Sequence, residues 1–252
     1  MNKKEAKIYM GTSGLVLPVP NKSFYPEAFR AASRLQYYAH LYNSIEINSS
    51  FYKMPRAATI AKWAEETGAD FRFTFKLLRD ITHNKGLKFD PHQLELFLSA
   101  ISAIGEKRGC LLLQLPPSED IHAFNQLQQI IGFIKAQIKL DWKLAIEFRH
   151  RSWFMEEVKD WMNDEGLSAV FHDHASLSSP LWELDSTHVY LRFHGPAGNF
   201  KGSYDDALLS EYAAYVQDWL AQEKDVYIYF NNTAGAAIAN LHTLRSDITA
   251  LV

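Results

Sequence analysis

Glu147 and Arg149 stand two residues apart at the end of Lys143–Phe148, where apolar and polar side chains alternate as in a β-strand, so both point to one face. Arg192 and His194 repeat the spacing in Val189–His194. Lys76 ends Phe71–Lys76 on the side of Arg72 and Thr74, and Glu46 shares a side with Asn48 in Ser44–Asn48. The opposite sides hold Ile45 and Ile47, then Phe71, Phe73 and Phe75, then Leu144, Ile146 and Phe148, then Val189, Leu191 and Phe193. Large apolar sets belong against a helix layer, which leaves the polar sets to converge on the other face at the strands' C-terminal ends. Gln114, Asp173, Asn231 and Asn232 follow their own strands in the same way.

Such a constellation offers three kinds of chemistry. Lys76, Arg149 and Arg192 would hold an anion, since a guanidinium fork fits carboxylate or phosphate; Asn231 and Asn232 would orient it, with His83 behind. The glycine-rich run Gly195-Pro196-Ala197-Gly198-Asn199-Phe200-Lys201-Gly202 and the turn Asn231-Asn232-Thr233-Ala234-Gly235 ahead of a helix suit backbone N–H contacts to phosphate. Glu46, Glu147 and His194 would move protons, Arg149 favouring ionised Glu147. Alternatively Glu46, Glu147, Asp173 and His194 would ligate a divalent metal, for a phosphodiester hydrolase or sugar isomerase. No His-x-His or clustered Cys/His supports that, three cations oppose it, and parity splits His172 and His174 around Asp173. No cofactor is therefore expected. The plainest alternative is an internal ion-pair network, for example Glu147 with Arg192 and Glu46 with Arg149, and a barrel that binds without turnover would use the same polar rim.

These residues need a scaffold. Strands are expected at Lys7–Thr12, Ser44–Asn48, Phe71–Lys76, Cys110–Gln114, Lys143–Phe148, Ser168–His172, Val189–His194 and Val226–Phe230. Helices are expected at Pro26–Leu41, Thr59–Glu66, Pro91–Ile104, Ile121–Ile138, Trp153–Asn163, Asp206–Ala221 and Ala236–Ala250, with an irregular crossover over Ala175–Thr187. Eight alternating units in 252 residues imply one α/β domain, residues 1–252, closed as a (β/α)8 TIM-type barrel; an open doubly wound sheet is the alternative. In such barrels the C-terminal rim is where catalysis occurs.

Composition narrows the setting. Hydrophobic residues make up 47% and charged residues 22%, ordinary for a globular chain, and no apolar run is long enough to span a bilayer. The 26 basic and 29 acidic residues argue against a nucleic-acid coat. A local patch of Lys85, Lys88, Arg149 and Arg151 beside Trp153 and Phe154 remains the only nucleic-acid candidate. Cys110 is the single cysteine, so no internal disulfide is possible, and Met1–Lys7 is charged with no apolar segment after it. A cytoplasmic protein with a small anionic ligand is expected; oligomeric state is not legible.

The strand ends also carry a family resemblance. Gly11-Thr12-Ser13-Gly14, Glu46-Ile47-Asn48 with Phe51-Tyr52, Ile81-Thr82-His83, Gln114-Leu115-Pro116-Pro117, Glu147-Phe148-Arg149-His150 with Trp153, Leu191-Arg192-Phe193-His194-Gly195 and Tyr229-Phe230-Asn231-Asn232 resemble, in order, the motifs of the YecE-like family, domain of unknown function seventy-two. The resemblance implies a single TIM-type barrel and no particular reaction. A comparison with metal-dependent barrel nucleases of the endonuclease IV type is an analogy of fold. The family usually has an aromatic after the first motif. Here Leu15 precedes Val16-Leu17-Pro18-Val19-Pro20, so the cover over the first strand is expected to differ.

Overall fold

Eight parallel strands form in the computed structural model, which describes residues 5–137, 142–173, 177–197 and 200–251. They are β1 (Ile8–Thr12), β2 (Ser44–Ile47), β3 (Arg72–Lys76), β4 (Arg108–Gln114), β5 (Lys143–Glu147), β6 (Ser168–His172), β7 (His188–Phe193) and β8 (Asp225–Phe230). Their order, β1-β8-β7-β6-β5-β4-β3-β2, brings β1 back beside β2 in a nearly closed barrel rather than an open sheet. Around it run α1 (Arg34–Leu41), α2 (Ser49–Tyr52), α3 (Ala57–Glu66), α4 (Arg79–Thr82), α5 (Pro91–Ile101), α6 (Phe124–Gln137), α7 (Glu156–Asp164), α8 (Asp206–Ala221) and α9 (Ala237–Ala250). No helix among the described residues is long and apolar enough to cross a membrane.

Several helices are shorter than their periodicity suggests, because local hydrogen bonds override it. Pro26–Leu41 is not one helix: Glu27–Phe29 is a 3-10 turn, and α1 starts only after Ser33. There Ser33 Oγ accepts from Gln36 N at 3.1 Å while Gln36 Oε1 accepts from Ser33 N at 2.7 Å, a capping box that fixes the start. Helix α5 stops at Ile101 and passes into a 3-10 stretch, Ser102–Lys107, where Gly105 turns at φ 62°. The Ile121 and Trp153 starts are likewise 3-10 turns ahead of α6 and α7. Residues 177–187 of the expected crossover form neither helix nor strand; Ala175 lies outside the described residues.

Parity holds. Ile45, Phe73, Phe75, Leu111, Leu113, Ile146, Phe148, Leu191 and Phe193 lie in the large core between barrel and helices. Inside the barrel sit Tyr9, Cys110, Leu112, Ala145, Val170, Tyr190, Tyr227 and Tyr229. Tyrosines fill this lumen because their hydroxyls find partners: Tyr229 Oη bonds Ser44 Oγ at 2.6 Å and Thr74 Oγ1 at 2.8 Å.

Side chains close the seam between β1 and β2. Tyr38 Oη, from α1, accepts from Thr12 N at 2.8 Å and lies 3.1 Å from the Ser44 carbonyl it donates to. Asn43 accepts from Met10 N at 2.8 Å and donates to Ile8 O at 2.7 Å. Above them Gly14 N bonds Glu46 O at 2.8 Å, which ties the first loop to the C-terminal end of β2. Tyr38→Phe strands a buried amide and carbonyl, and the expected cost is about 1–3 kcal/mol in urea unfolding. A change within error of zero would mean the hydroxyl does not join the seam.

Candidate functional site

Register decides which inward residues meet. His172 on β6 pairs with Arg192 on β7, and Gln114 on β4 with Glu147 on β5, so the last inward residues of the strands form one layer at the mouth. Arg192 occupies its centre. Its Nη1 reaches Glu147 Oε2 at 2.5 Å and its Nη2 reaches Glu46 Oε1 at 2.8 Å, with all three side chains sealed from solvent. Ser13 Oγ donates to Glu46 Oε1 at 2.6 Å, and Tyr190 Oη donates to Glu46 Oε2 at 2.5 Å. Arg149 pairs with Glu147 through Nε and Nη2. The network reading is therefore realised with one change: Glu46 pairs with Arg192, not with Arg149, because Arg149 stands on Glu147's own strand line.

Charge follows from these contacts. Burial would push the Glu147 carboxyl up, but Arg149 and Arg192 outweigh it and hold it well below the usual range. Burial likewise opposes the Arg192 charge, and Glu147 with Glu46 outweighs that. His194 is different. Burial, helped by Arg192 and Arg149, depresses it to about 3 against the pull of Glu147, so the 3.5 Å approach of His194 Nε2 to Glu147 is not an ion pair near neutral pH. Arg149 Nη2 donates to His194 Nε2 at 2.9 Å, so the ring proton sits on Nδ1, facing the Asn231 amide at 3.0 Å. The Asn231 atom placed against Nδ1 is Nδ2, also a donor, so with that tautomer the Asn231 amide is assigned the flipped orientation, Oδ1 toward the ring. Asp173 fixes the same segment from below, accepting from His194 N at 2.8 Å and from Tyr204 Oη.

Lys76 stands apart. Its Nζ bonds Gln114 Oε1 at 2.6 Å and lies 4.0 Å from the centroid of the Phe51 ring, with no carboxylate in ion-pair reach among the described residues. Burial first, then Arg192, lowers it to about 8. His83 also packs on Phe51, edge to face with ring centroids 4.8 Å apart, held by Thr82 Oγ1 at 2.9 Å and depressed to about 4 by burial and by Lys76. Arg149 keeps one uncommitted group: its Nη1 makes no hydrogen bond among the described residues.

Loops seven and eight are arranged otherwise than their composition suggests. The amides of Ala234 and Ala236 donate to Phe200 O at 3.1 Å and Gly202 O at 3.0 Å, so two of the groups expected for phosphate stitch the loops together. A side chain at Gly235 would meet Gly202 O at 2.4 Å, which explains that glycine by close packing. Fully buried Asn232 belongs to this stitch, donating to Gly202 O at 3.2 Å and Asn240 Oδ1 at 3.1 Å; neither it nor Thr233 caps α9, whose N-cap is Ala236. Gly198 and Asn199 lie outside the described residues.

Among the described residues, no three His, Cys, Asp or Glu side chains converge as metal ligands. Arg192 lies between Glu46 and Glu147, and Asp173 is held by Tyr204, so this donor set does not fit a metal as arranged. His174 lies outside the described residues. In the basic patch, Trp153 is fully buried, stacked on Phe148 at 5.1 Å with Nε1 bonded to Glu119 O at 2.8 Å; it is core and offers no face to a base. Sequence reasoning missed Ser13, Tyr190, Tyr204 and Asn240 as members of these networks. Tyr190 shares the strand parity of Arg192 and His194, which is the available signal.

Fold and rim together define a TIM-like α/β barrel with a buried charged network at its C-terminal mouth. The chain belongs to the family described as protein of unknown function DUF72, whose profile matches residues 9–250. It is 27% identical over 263 residues to UPF0759 protein YunF of Bacillus subtilis (strain 168), covering 92% of this chain and 91% of that one. UPF0759 protein YecE of Escherichia coli (strain K12) is 26% identical over 133 residues, 53% of this chain and 47% of that protein. Among solved structures, a DUF72 family protein from Enterococcus faecalis V583 superposes with a TM-score of 0.79 at 19% identity, covering 96% of this chain and 95% of that one. One from Thermotoga maritima MSB8 gives 0.77 at 23% identity, covering 96% and 99%. These likenesses establish the fold.

Proposed function

We propose that the C-terminal mouth of the barrel takes a small anionic ligand, of the phosphate-bearing kind, and carries out acid–base chemistry on it. The observation behind this reading is where charge remains uncommitted. Glu46, Glu147, Arg149 and Arg192 balance one another, whereas among the described residues Lys76 adds a positive charge with no carboxylate partner and Arg149 Nη1 makes no hydrogen bond. Lys76 and that edge of Arg149 make the direct contacts to the anion. Arg192 holds the two glutamates instead of the ligand. Asn231 and His194 position the Arg149 head, and His83 with Phe51 walls in Lys76. Of these groups Lys76, lowered to about 8, is the one that changes protonation near neutral pH, which suits general acid–base work. Glu147, held ionised by two arginines, orients.

Thermal shift with inorganic phosphate and ribose 5-phosphate tests the reading. At about 100 times its dissociation constant, a ligand adds about 2.7 kcal/mol, so the melting point should rise by roughly 5–10 °C. Lys76→Met should weaken that binding about tenfold, the equivalent of about 1.4 kcal/mol. If neither anion shifts the wild type, or Lys76→Met shifts equally, the anion pocket is lost.

A further inference from the structure

We propose that Lys76 is a nucleophilic amine that forms an imine with a carbonyl-bearing substrate at the barrel mouth. The inference deepens the anion-pocket reading, resting on it for the pocket while naming the group that reacts.

The argument begins with competition for carboxylates. A lysine buried to 9% exposure ordinarily needs a counterion. Two glutamates lie toward the C-terminal ends of β2 and β5 of the same barrel, yet both are engaged by arginines: Glu147 by Arg149 and Arg192, and Glu46 by Arg192 with Ser13 and Tyr190. A guanidinium fork binds a carboxylate better than an ammonium does, so among the described residues the arginines leave Lys76 without an ion pair. What Lys76 has instead is an uncharged acceptor, Gln114 Oε1, and the face of Phe51. Neither obliges the nitrogen to stay protonated. The amide oxygen also accepts a hydrogen from a neutral amine, though more weakly than from an ammonium, and it orients the nitrogen while leaving its lone pair available.

Placement supplies the rest. Lys76 is the last residue of β3 and follows the parity of Thr74, so its amine lies at the catalytic end of the lumen rather than on the outer surface. The charged and titratable groups acting on it are Glu46 from β2, His83 after α4, Glu147 and Arg149 at the end of β5, and Arg192 from β7. Together with burial they place it near 8, where roughly a quarter of the amine is free base at pH 7.5, against about a thousandth for an ordinary lysine.

The chemistry balances without an external oxidant or reductant. The Nζ lone pair forms a bond to the carbonyl carbon as the C=O π pair moves onto oxygen. A nitrogen proton passes to that oxygen, giving a carbinolamine. The C–O bond then breaks, the second nitrogen proton leaves with the oxygen as water, and a C=N bond remains. Water addition reverses the sequence.

The test traps this imine on the whole wild-type chain. Dihydroxyacetone phosphate and dihydroxyacetone are each incubated with the protein and sodium cyanoborohydride, and the adduct is mapped by peptide mass spectrometry. Lys76 should carry on the order of tenfold more label than any other lysine, with a labelling rate that rises through about pH 8 instead of about pH 10.4. Label spread evenly over the lysines, or a midpoint near that of ordinary lysine, overturns the imine. Lys76→Arg keeps the charge but has no amine to react. A phosphate-dependent melting shift that survives in Lys76→Arg, alongside label at Lys76 in the wild type, supports both readings. A phosphate shift in the wild type with no label at Lys76 removes the imine and leaves the anion pocket. Equal label at Lys76 from both probes, with no phosphate shift, upholds the nucleophile and removes the anion.

Discussion

Arg192→Ala should lower the stability of the chain by about 3–5 kcal/mol, and the melting temperature by on the order of 10 °C. Arg192 is 1% exposed and both carboxylates it bridges are 0% exposed, so removing it buries two anions of which only Glu147 retains a cationic partner. That deficit is the origin of the loss, more than any net strength of the bridge, because a buried ion pair costs several kcal/mol of desolvation for each ion before it gains any attraction. The corollary is a rescue. In Arg192→Met with Glu46→Gln, Glu147 still has Arg149, and the glutamine oxygen still accepts from Ser13. The double variant should therefore recover about 1–3 kcal/mol relative to Arg192→Met alone. Urea unfolding of Arg192→Ala, Arg192→Met, Glu46→Gln and the double variant against wild type reads both effects. A single variant within about 1 kcal/mol of wild type would show that the network is not a stability element; simple additivity in the double would show that Glu46 and Arg192 are not coupled.

The sequence made the barrel and the membership of its rim legible, because both follow from period and parity. Glu46, Lys76, Glu147, Arg192 and His194 are inward residues at strand ends, and β-strand alternation alone selects them. Which partner each takes is another matter. Arg192 reaches Glu147 and Glu46 because β6 and β7 set its height against β5 and the barrel closes to bring β2 across from it, and no local pattern encodes that distance. The freedom of Lys76 is one step further removed, since it results from arginines on other strands taking both glutamates. Closure itself rests on Tyr38 and Asn43, side chains that periodicity reads as helix and loop. Loops seven and eight mark a different gap. A run of glycines serves a phosphate cradle and a close backbone crossing equally well as composition, and only the approach of Gly235 to Gly202 separates them. The start of α1 was written in the chain as Ser33-Arg34-Leu35-Gln36, but Pro26 offers a competing helix start seven residues earlier.

Acid should unfold this protein through its histidines before its carboxylates. His188 and His194 are buried to 2% and 1% exposure. At the lower end of the barrel, His188 Nε2 donates to Leu144 O at 3.1 Å; burial, with Lys143 adding, depresses the ring to about 3, and His194 is depressed to about 3 as well. In the unfolded chain both titrate near about 6.5. Between those values the folded protein keeps two neutral rings while the unfolded chain binds two more protons, so stability present above about pH 6.5 is lost as pH falls. Two protons correspond to about 2.7 kcal/mol per pH unit, or about 5 kcal/mol from pH 6 to pH 4. Partly buried His83, lowered to about 4, acts in the same direction. Below about pH 4.3 Glu147 joins them, since its folded carboxylate resists the proton that the unfolded chain accepts. Glutamine at position 188 can still donate to Leu144 O and does not titrate, so His188→Gln should reduce the slope by about 1.4 kcal/mol per pH unit. Urea unfolding at pH 7, 6, 5 and 4.5 measures both slopes. A wild-type stability that is flat over this range, or a His188→Gln slope equal to that of wild type, would mean that the folded barrel lets these rings become charged and would remove the basis for treating His194 as a neutral brace of Arg149.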